Sequence, residues 1–154
     1  MKKIEKIKLE VTLAQLRKAG ACTSGYNKLV CSLSGKSFDA DKETYIRFAH
    51  KDPINLLRIL ESNGVEDCLW SLRAVVSTDV ERIARYIACD CADSVLHIFE
   101  RSRPNDSRVR DCINTARRFA DGEATKRERD AAWDAAWAAA GAAQSKIIRC
   151  YLSE

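Results

Sequence analysis

Apolar residues in the second half of the chain recur every three to four positions, the spacing that places them on one face of an α-helix. The longest such stripe lies between Thr78 and Arg101, and another lies between Val109 and Ala120. The first stripe consists of Val80, Ala84, Ile87, Cys91, Val95 and Ile98. This spacing predicts two amphipathic helices, each with this face in the core.

Capping residues mark where the helices begin and end. Thr12 predicts an N-cap with a stop at Gly20, and a short helix over residues 26–33 should end at Gly35. Asp52 followed by Pro53 predicts the start of a helix that Gly64 ends, and a further helix covers residues 66–76. The pairs Thr78 with Glu81 and Thr125 with Glu128 have the spacing of capping boxes at the starts of two long helices.

The first 51 residues are less regular. Residues 3–11 alternate imperfectly between charged and apolar side chains, which indicates a short strand or an extended arm. Residues 36–51 are polar and predict a loop, in which a β-favouring run at 45–48 could form one short strand and pair with the N-terminal strand in a minimal hairpin. We therefore expect an all-α fold, a helical bundle or a stack of helical hairpins with a small irregular N-terminal part. We expect one domain over residues 1–154, with its helical core at 52–154.

The last predicted helix is unusually rich in alanine. Residues 131–143 read AAWDAAWAAAGAA and include nine alanines. Small side chains let neighbouring helices approach closely, so we expect this helix at the centre of the packing. Trp133 and Trp137 share one face, which we assign to the core, with an exposed interface anchor as the alternative. Ala-rich helices of this kind also make a homodimer an open alternative.

Composition and charge exclude several classes of protein. The 154 residues carry a net charge of +4, and residues 1–8 contribute most of it. Neither a globally basic nucleic-acid binder nor an acidic DNA mimic fits this balance. The sequence has no apolar run that would span a membrane and no signal peptide, and its seven cysteines are an odd number. These features predict reduced thiols and a cytoplasmic protein in a bacterial host cell.

Most candidate chemistry fails on residue type or spacing. Gly20 and Gly25 have the spacing of a phosphate-binding loop, but Tyr26 and Asn27 follow where Lys and Ser or Thr are needed. Cys89 and Cys91 point in different directions on a helix, so no metal site or cofactor is expected. Asp90 and Asp93 share a polar helix face, which indicates solvated carboxylates.

Cysteine catalysis leaves one candidate. Cys22 lies in a turn between helices, and His50 lies in the polar loop, from which it could approach the thiol. A thiolate beside a base is the arrangement that a thiol enzyme requires.

Arginine is concentrated around the turn at Pro104. Six arginines lie within residues 101–118, against Asp106 and Asp111. They are Arg101, Arg103, Arg108, Arg110, Arg117 and Arg118. Guanidinium groups bind carboxylates and phosphates in bidentate geometry, so this cluster is the candidate partner-binding surface. The alternative is an ordinary solvated face, on which some of these arginines pair with Glu100, Asp106, Asp111 or Asp121.

Residues 84–125 resemble a known family. An Ala- and Cys-rich helix is followed by Phe-Glu, Arg-Pro-x-Asp-x-Arg and Ala-Arg-Arg-Phe-Ala-x-Gly-Glu, and then by an Ala-rich helix. This order is similar to that in an immunity protein family of bacterial polymorphic-toxin systems, which also occurs in phages. The segment LRKAGAC at 16–22 is similar to the opening of phage and prophage accessory proteins. The resemblance implies a binding protein and offers no catalytic residues.

Three hypotheses follow. The first is a non-enzymatic protein of a phage or mobile element that inhibits a protein target by occluding its functional surface. The target would be a toxin or a host defence component such as a CRISPR effector. The second is a nucleic-acid-binding accessory protein that uses the arginine cluster. The third is a small thiol enzyme built on Cys22 and His50.

Overall fold

A computed structural model describes the backbone of residues 8–152 and the side chains of residues 8–139. The chain is 65% helical, with seven α-helices and one small two-stranded sheet among the described residues, as the sequence predicts. The elements are β1 (Glu10–Val11), α1 (Leu13–Lys18), α2 (Thr23–Ser34), β2 (Ile54–Asn55), α3 (Leu56–Asn63), α4 (Val65–Ser71), a 3-10 turn (Leu72–Ala74), α5 (Val80–Ser102), α6 (Arg108–Ala120) and α7 (Lys126–Leu152).

The chain divides into two compact units, Met1–Val80 and Glu81–Glu154. The first unit contains both strands and α1 to α4, and the second contains nearly all of α5 together with α6 and α7. The sequence placed the start of a helical core at residue 52, whereas α3 and α4 belong to the first unit. One domain over residues 1–154 stays a prediction. None of the helices in residues 8–152 combines the length and hydropathy that a membrane span requires.

The first unit contains a small sheet whose second strand is not the one that the sequence suggests. Val11 pairs with Ile54 in antiparallel orientation, so the suggested strand at 45–48 is wrong, whereas the loop predicted over residues 36–51 is confirmed. The pairing carries the chain to Asn55, whose side chain accepts the Leu57 N–H at 2.8 Å. Helix α3 therefore starts at Leu56, and the start predicted at Asp52 and Pro53 is also wrong.

Residues 36–51 have no regular secondary structure and are held by side chains from the helices. Asn27, which is only 1% exposed on α2, donates to the Thr44 carbonyl at 2.9 Å and accepts the Ile46 N–H at 2.8 Å. The Tyr45 hydroxyl donates to the Ala21 carbonyl at 2.6 Å. Buried polar groups need such partners, and these three hydrogen bonds hold the segment without strand pairing.

The second unit is a three-helix assembly with a small core. Cys89 and Leu96 of α5 are buried against Ile113 of α6, with Val109 and Ala116 partly buried beside them. The α5 stripe predicted from the sequence is wrong in its second half, because Cys91 is exposed, Val95 is 55% exposed and Ile98 is 62% exposed. The buried face of α5 is the adjacent one.

The ends of the long helices match the sequence at one of the two predicted capping boxes. Thr125 Oγ1 accepts the Glu128 N–H at 3.2 Å, and Glu128 accepts the Thr125 N–H at 2.7 Å. Those bonds, the backbone one first, lower the pKa of Glu128. At the start of α5, the Asp79 N–H donates to Ser77 Oγ at 3.3 Å, and the described residues show no capping box between Thr78 and Glu81.

Candidate protein-binding surface

The arginine cluster lies in the second unit, on the last turn of α5, in the connecting turn and along α6. Arg108 binds Asp106 with two bonds, Nε to Oδ1 at 2.8 Å and NH2 to Oδ2 at 2.7 Å, and Arg103 lies 3.9 Å from the same carboxylate. The hydrogen bond from Arg108 is the main reason that the pKa of Asp106 falls from 3.8 to about 2. This carboxylate therefore stays charged and fastens the turn before α6.

Two more arginines connect α5 to α6. Arg110 binds Glu100 through two bonds of 2.6 and 2.7 Å. Arg117 lies 2.8 Å from Asp90 and 3.1 Å from Asp93, and these two carboxylates raise its pKa. Both pairs cross between the helices, so their first role is to fix how α6 lies on α5.

The remaining two arginines differ from each other. Arg118 donates to the Glu123 carbonyl at 3.1 Å and lies 4.0 Å from Glu128. Arg101 is exposed and makes no ion pair with any residue in the range 8–139. Residues 81–139 contain eleven basic and eleven acidic side chains. The cluster that looks cationic in the sequence is thus largely neutralised within its own unit.

Trp133 and Trp137 are exposed, which corrects their assignment to the core. They are 61% and 71% exposed, and their rings stack with centroids 6.4 Å apart and planes 18° apart. Ala139, which lies on another side of α7, is 0% exposed. The helix therefore buries a small side chain and turns its two large rings outward, so its tryptophan face is not at the centre of the packing.

An apolar groove runs beside the two tryptophans. It encloses about 310 Å³ and is lined by side chains of α5, α6 and α7, all of them alanine, cysteine, branched aliphatic or tryptophan. The lining residues are Ala88, Cys89, Ala92, Val109, Cys112, Ile113, Ala116, Trp133, Ala136 and Trp137. Small side chains leave the hollow, and the two rings form one wall of it. We call this surface the tryptophan groove.

Phe119 was the aromatic residue nearest to the arginines in the sequence. Its ring is contacted by Arg85, at 4.9 Å from the centroid, and by Arg129, at 4.6 Å. It therefore serves to join the three helices through cation–π contacts. A ring already covered by two guanidinium groups is poorly placed to stack on a nucleobase.

The two residues of the thiol hypothesis make no hydrogen bond with each other, and both lie in the described part of the chain. Cys22 is the N-cap of α2, where its Sγ accepts the Gly25 N–H at 3.3 Å. His50 stacks on Phe48, with centroids 5.7 Å apart. Both side chains have structural contacts of their own, and the structure does not assemble a nucleophile with a base.

The second unit matches a family model. Residues 75–152 match the family described as Imm-5 like putative immunity protein. The chain belongs to this family. No curated protein and no solved structure matches it. The resemblance noted for residues 84–125 is confirmed, and the matched segment covers α5, α6 and α7.

The tryptophan groove and the arginine cluster both lie inside the segment that matches the family. Immunity proteins bind a protein partner, a toxin, and are generally non-enzymatic. Sequence reasoning selected the arginines because charge is visible in a sequence. It missed the groove because the alanines and tryptophans of a helix do not reveal which face its neighbours cover.

Proposed function

We propose that this protein is a non-enzymatic inhibitor that binds a protein toxin through its second unit and occludes the toxin's functional surface. The observation that carries the proposal is membership of an immunity protein family over the segment that forms this unit. The similarity of residues 16–22 to phage accessory proteins supports a phage or mobile-element origin and action in the cytoplasm of a bacterial host. An anti-defence target, such as a CRISPR effector, is the alternative outcome of the same experiment.

We place the main contact at the tryptophan groove. Tryptophan is enriched among the residues that dominate binding energy in protein interfaces, especially beside a well-formed apolar pocket. The groove has no charged side chain in its lining, and residues 81–139 contain as many acidic as basic side chains. A surface of this kind fits apolar side chains of the toxin and gives little attraction to nucleic acid, whose binding depends on cationic groups.

The arginines form the polar side of the same proposal. Arg108, Arg110 and Arg117 hold the turn and the helices in place, so they act on binding mainly through the shape of the unit. Arg101 is exposed without an ion pair among residues 8–139, and is the one that would contact an acidic group of the toxin directly. Substituting it tests a contact without breaking an internal pair.

The test is a pull-down of the tagged full chain from nuclease-treated host lysate, followed by affinity measurements with the captured protein. We expect one stoichiometric protein partner, with toxin activity that the chain suppresses. Trp137→Ser should weaken binding about 30-fold, the effect of losing roughly 2 kcal/mol at an interface hot spot. Leu57→Ser is the matched control, because Leu57 is exposed to a similar degree, 59%, but lies in the first unit.

The dependence of affinity on salt distinguishes binding through the tryptophan groove from binding through charged side chains. Binding through the tryptophan groove should change little in salt that screens exposed charges. Arg101→Glu should then cost less than Trp137→Ser. If nuclease treatment removes the captured material, the chain binds nucleic acid rather than a protein. If the only partner is a second copy of the chain, the groove is a homodimer interface. Wild-type affinity in Trp137→Ser would remove the groove from the binding surface.

A further inference from the structure

The first unit contains a cavity that the inhibitor function does not use. It encloses about 130 Å³ between α1, α2, α3 and α4. Leu16, Leu29 and Ile59, all among the most buried residues of this unit, form its closed end. Cys22 is exposed and also lines the cavity, so the opening lies on the side of the turn between α1 and α2. The volume is about that of four water molecules in the liquid, enough for a short alkyl chain with a polar head.

One charged side chain among residues 8–80 lines this cavity, and it is acidic. Asp67 Oδ2 accepts a 2.7 Å bond from the Asn63 amide, and the same amide donates to the Gly25 carbonyl at 2.8 Å. Oδ1 accepts no hydrogen bond from the described residues, and no unpartnered side-chain oxygen in that part of the chain is buried. The Asp67 carboxylate is therefore oriented by Asn63 and keeps one accessible oxygen.

The chain makes room for this carboxylate at Gly25. A Cβ on Gly25 would lie 2.9 Å from Asp67 Oδ2 and 3.3 Å from Cys22 Sγ. Only glycine allows this approach without a shift of the carboxylate. Asn63 also ties Gly25 to Asp67, so three helices cooperate to place one acidic group at the edge of an apolar hollow.

We propose that this cavity binds a short alkylammonium group, with the ammonium paired to Asp67 and the alkyl chain against Leu16, Leu29 and Ile59. The charge of the head group follows from the carboxylate, since a cation near an oriented carboxylate gains a charge-assisted hydrogen bond. The apolar stem follows from the closed end, where burial of each methylene is favourable. The source of the group is either a free small amine or a lysine side chain of another protein.

Cys22 provides the readout, because it lines the same cavity and is exposed. The full chain is labelled with iodoacetamide in n-butylammonium chloride, in sodium chloride of equal ionic strength, or in n-butanol, and each cysteine is followed by mass spectrometry. Occupancy should slow labelling of Cys22 about tenfold at ten times the dissociation constant, because only the free protein reacts. Cys91, exposed in the second unit, is the internal control and should label at an unchanged rate.

Two variants make the test specific. Asp67→Asn keeps the size and the oxygen that Asn63 binds but removes the charge, so protection by n-butylammonium should disappear. Gly25→Ala should also reduce it, because its Cβ displaces the carboxylate. Protection by Nα-acetyl-lysine amide but not by n-butylammonium would assign a protein lysine as the source, and protection by n-butylammonium would assign a free amine. No protection by either amine, equal protection by n-butanol, or full protection in Asp67→Asn would overturn the proposal.

Discussion

The substitution Asn27→Asp tests how the first unit holds its irregular segment. Asn27 donates through Nδ2 to the carbonyls of Thr44 at 2.9 Å and Lys42 at 3.4 Å, and its Oδ1 accepts the Ile46 N–H at 2.8 Å. Aspartate keeps the shape and the accepting oxygen. It replaces the donating amide with a second oxygen that faces two carbonyl oxygens.

The magnitude follows from these contacts. Two donated hydrogen bonds are lost, at about 1 kcal/mol each. Asn27 is only 1% exposed, so the carbonyls left without its amide add a cost of about the same size as one of these bonds. We expect the free energy of unfolding to fall by about 3 kcal/mol at neutral pH. Burial beside carbonyls raises the pKa of the introduced carboxyl above its unfolded value. Because the protonated acid can again donate a bond, the loss should shrink as the pH falls through that raised pKa.

The assay combines urea unfolding with hydrogen exchange of residues 36–51. Exchange in this segment should accelerate in Asn27→Asp, because the two bonds that the Asn27 amide donates to it are lost. Asn114→Asp is the matched control, since Asn114 is exposed on α6 and should change the free energy of unfolding by less than about 0.5 kcal/mol. If the free energy of unfolding of Asn27→Asp at neutral pH equals that of Asn114→Asp, Asn27 does not anchor residues 36–51.

Three further predictions concern the second unit and the cysteines. Arg108→Gln should raise the pKa of Asp106 from about 2 toward 3.8, as a carbon-13 NMR titration of the carboxyl would measure. The stability that depends on this lowered pKa, which is present above about pH 4 and is lost on acidification, should shrink accordingly. Cys22 and Cys91, which are exposed, should react with a disulfide reagent faster than Cys89 and Cys112. Burial raises the pKa of Cys89 and of Cys112, so the difference in reaction rate should narrow as the pH rises. Iodide should quench most of the tryptophan fluorescence, and the quenched fraction should fall in the double variant Trp133→Phe, Trp137→Phe, which leaves half-buried Trp70.

Three features that depend on neighbouring residues were predicted correctly, whereas the capping box at Thr78 and the helix start at Asp52 were not. The N-cap at Thr12, the stop at Gly35 and the capping box at Thr125 all appear where the residues indicate. The two caps join a side chain to a backbone group within three positions, and Gly35 adopts the left-handed conformation that favours glycine, so each interaction is local in the sequence.

Features that depend on distant residues were not predicted. Val11 pairs with Ile54 across more than forty residues, and nothing near either residue indicates its partner. Helix α5 presents apolar side chains on two faces, and the sequence does not reveal which of them α6 covers. In the structure Cys89 and Leu96 pack against α6, and Arg117 of α6 reaches Asp90 and Asp93 of α5.

The dependence on distant residues is also why we propose the tryptophan groove ahead of the arginine cluster as the binding surface. The acidic residues at 90, 93 and 100 lie on α5, so their pairs with Arg110 and Arg117 form only when α5 and α6 lie side by side. Pairing satisfies these charges within the unit. The tryptophan groove has no charged lining, and the apolar area of its two exposed tryptophans remains in contact with water unless a partner covers it. An inhibitor that binds a protein target gains most from burying such area, which is why we place the toxin at the tryptophan groove and treat the arginines as its support.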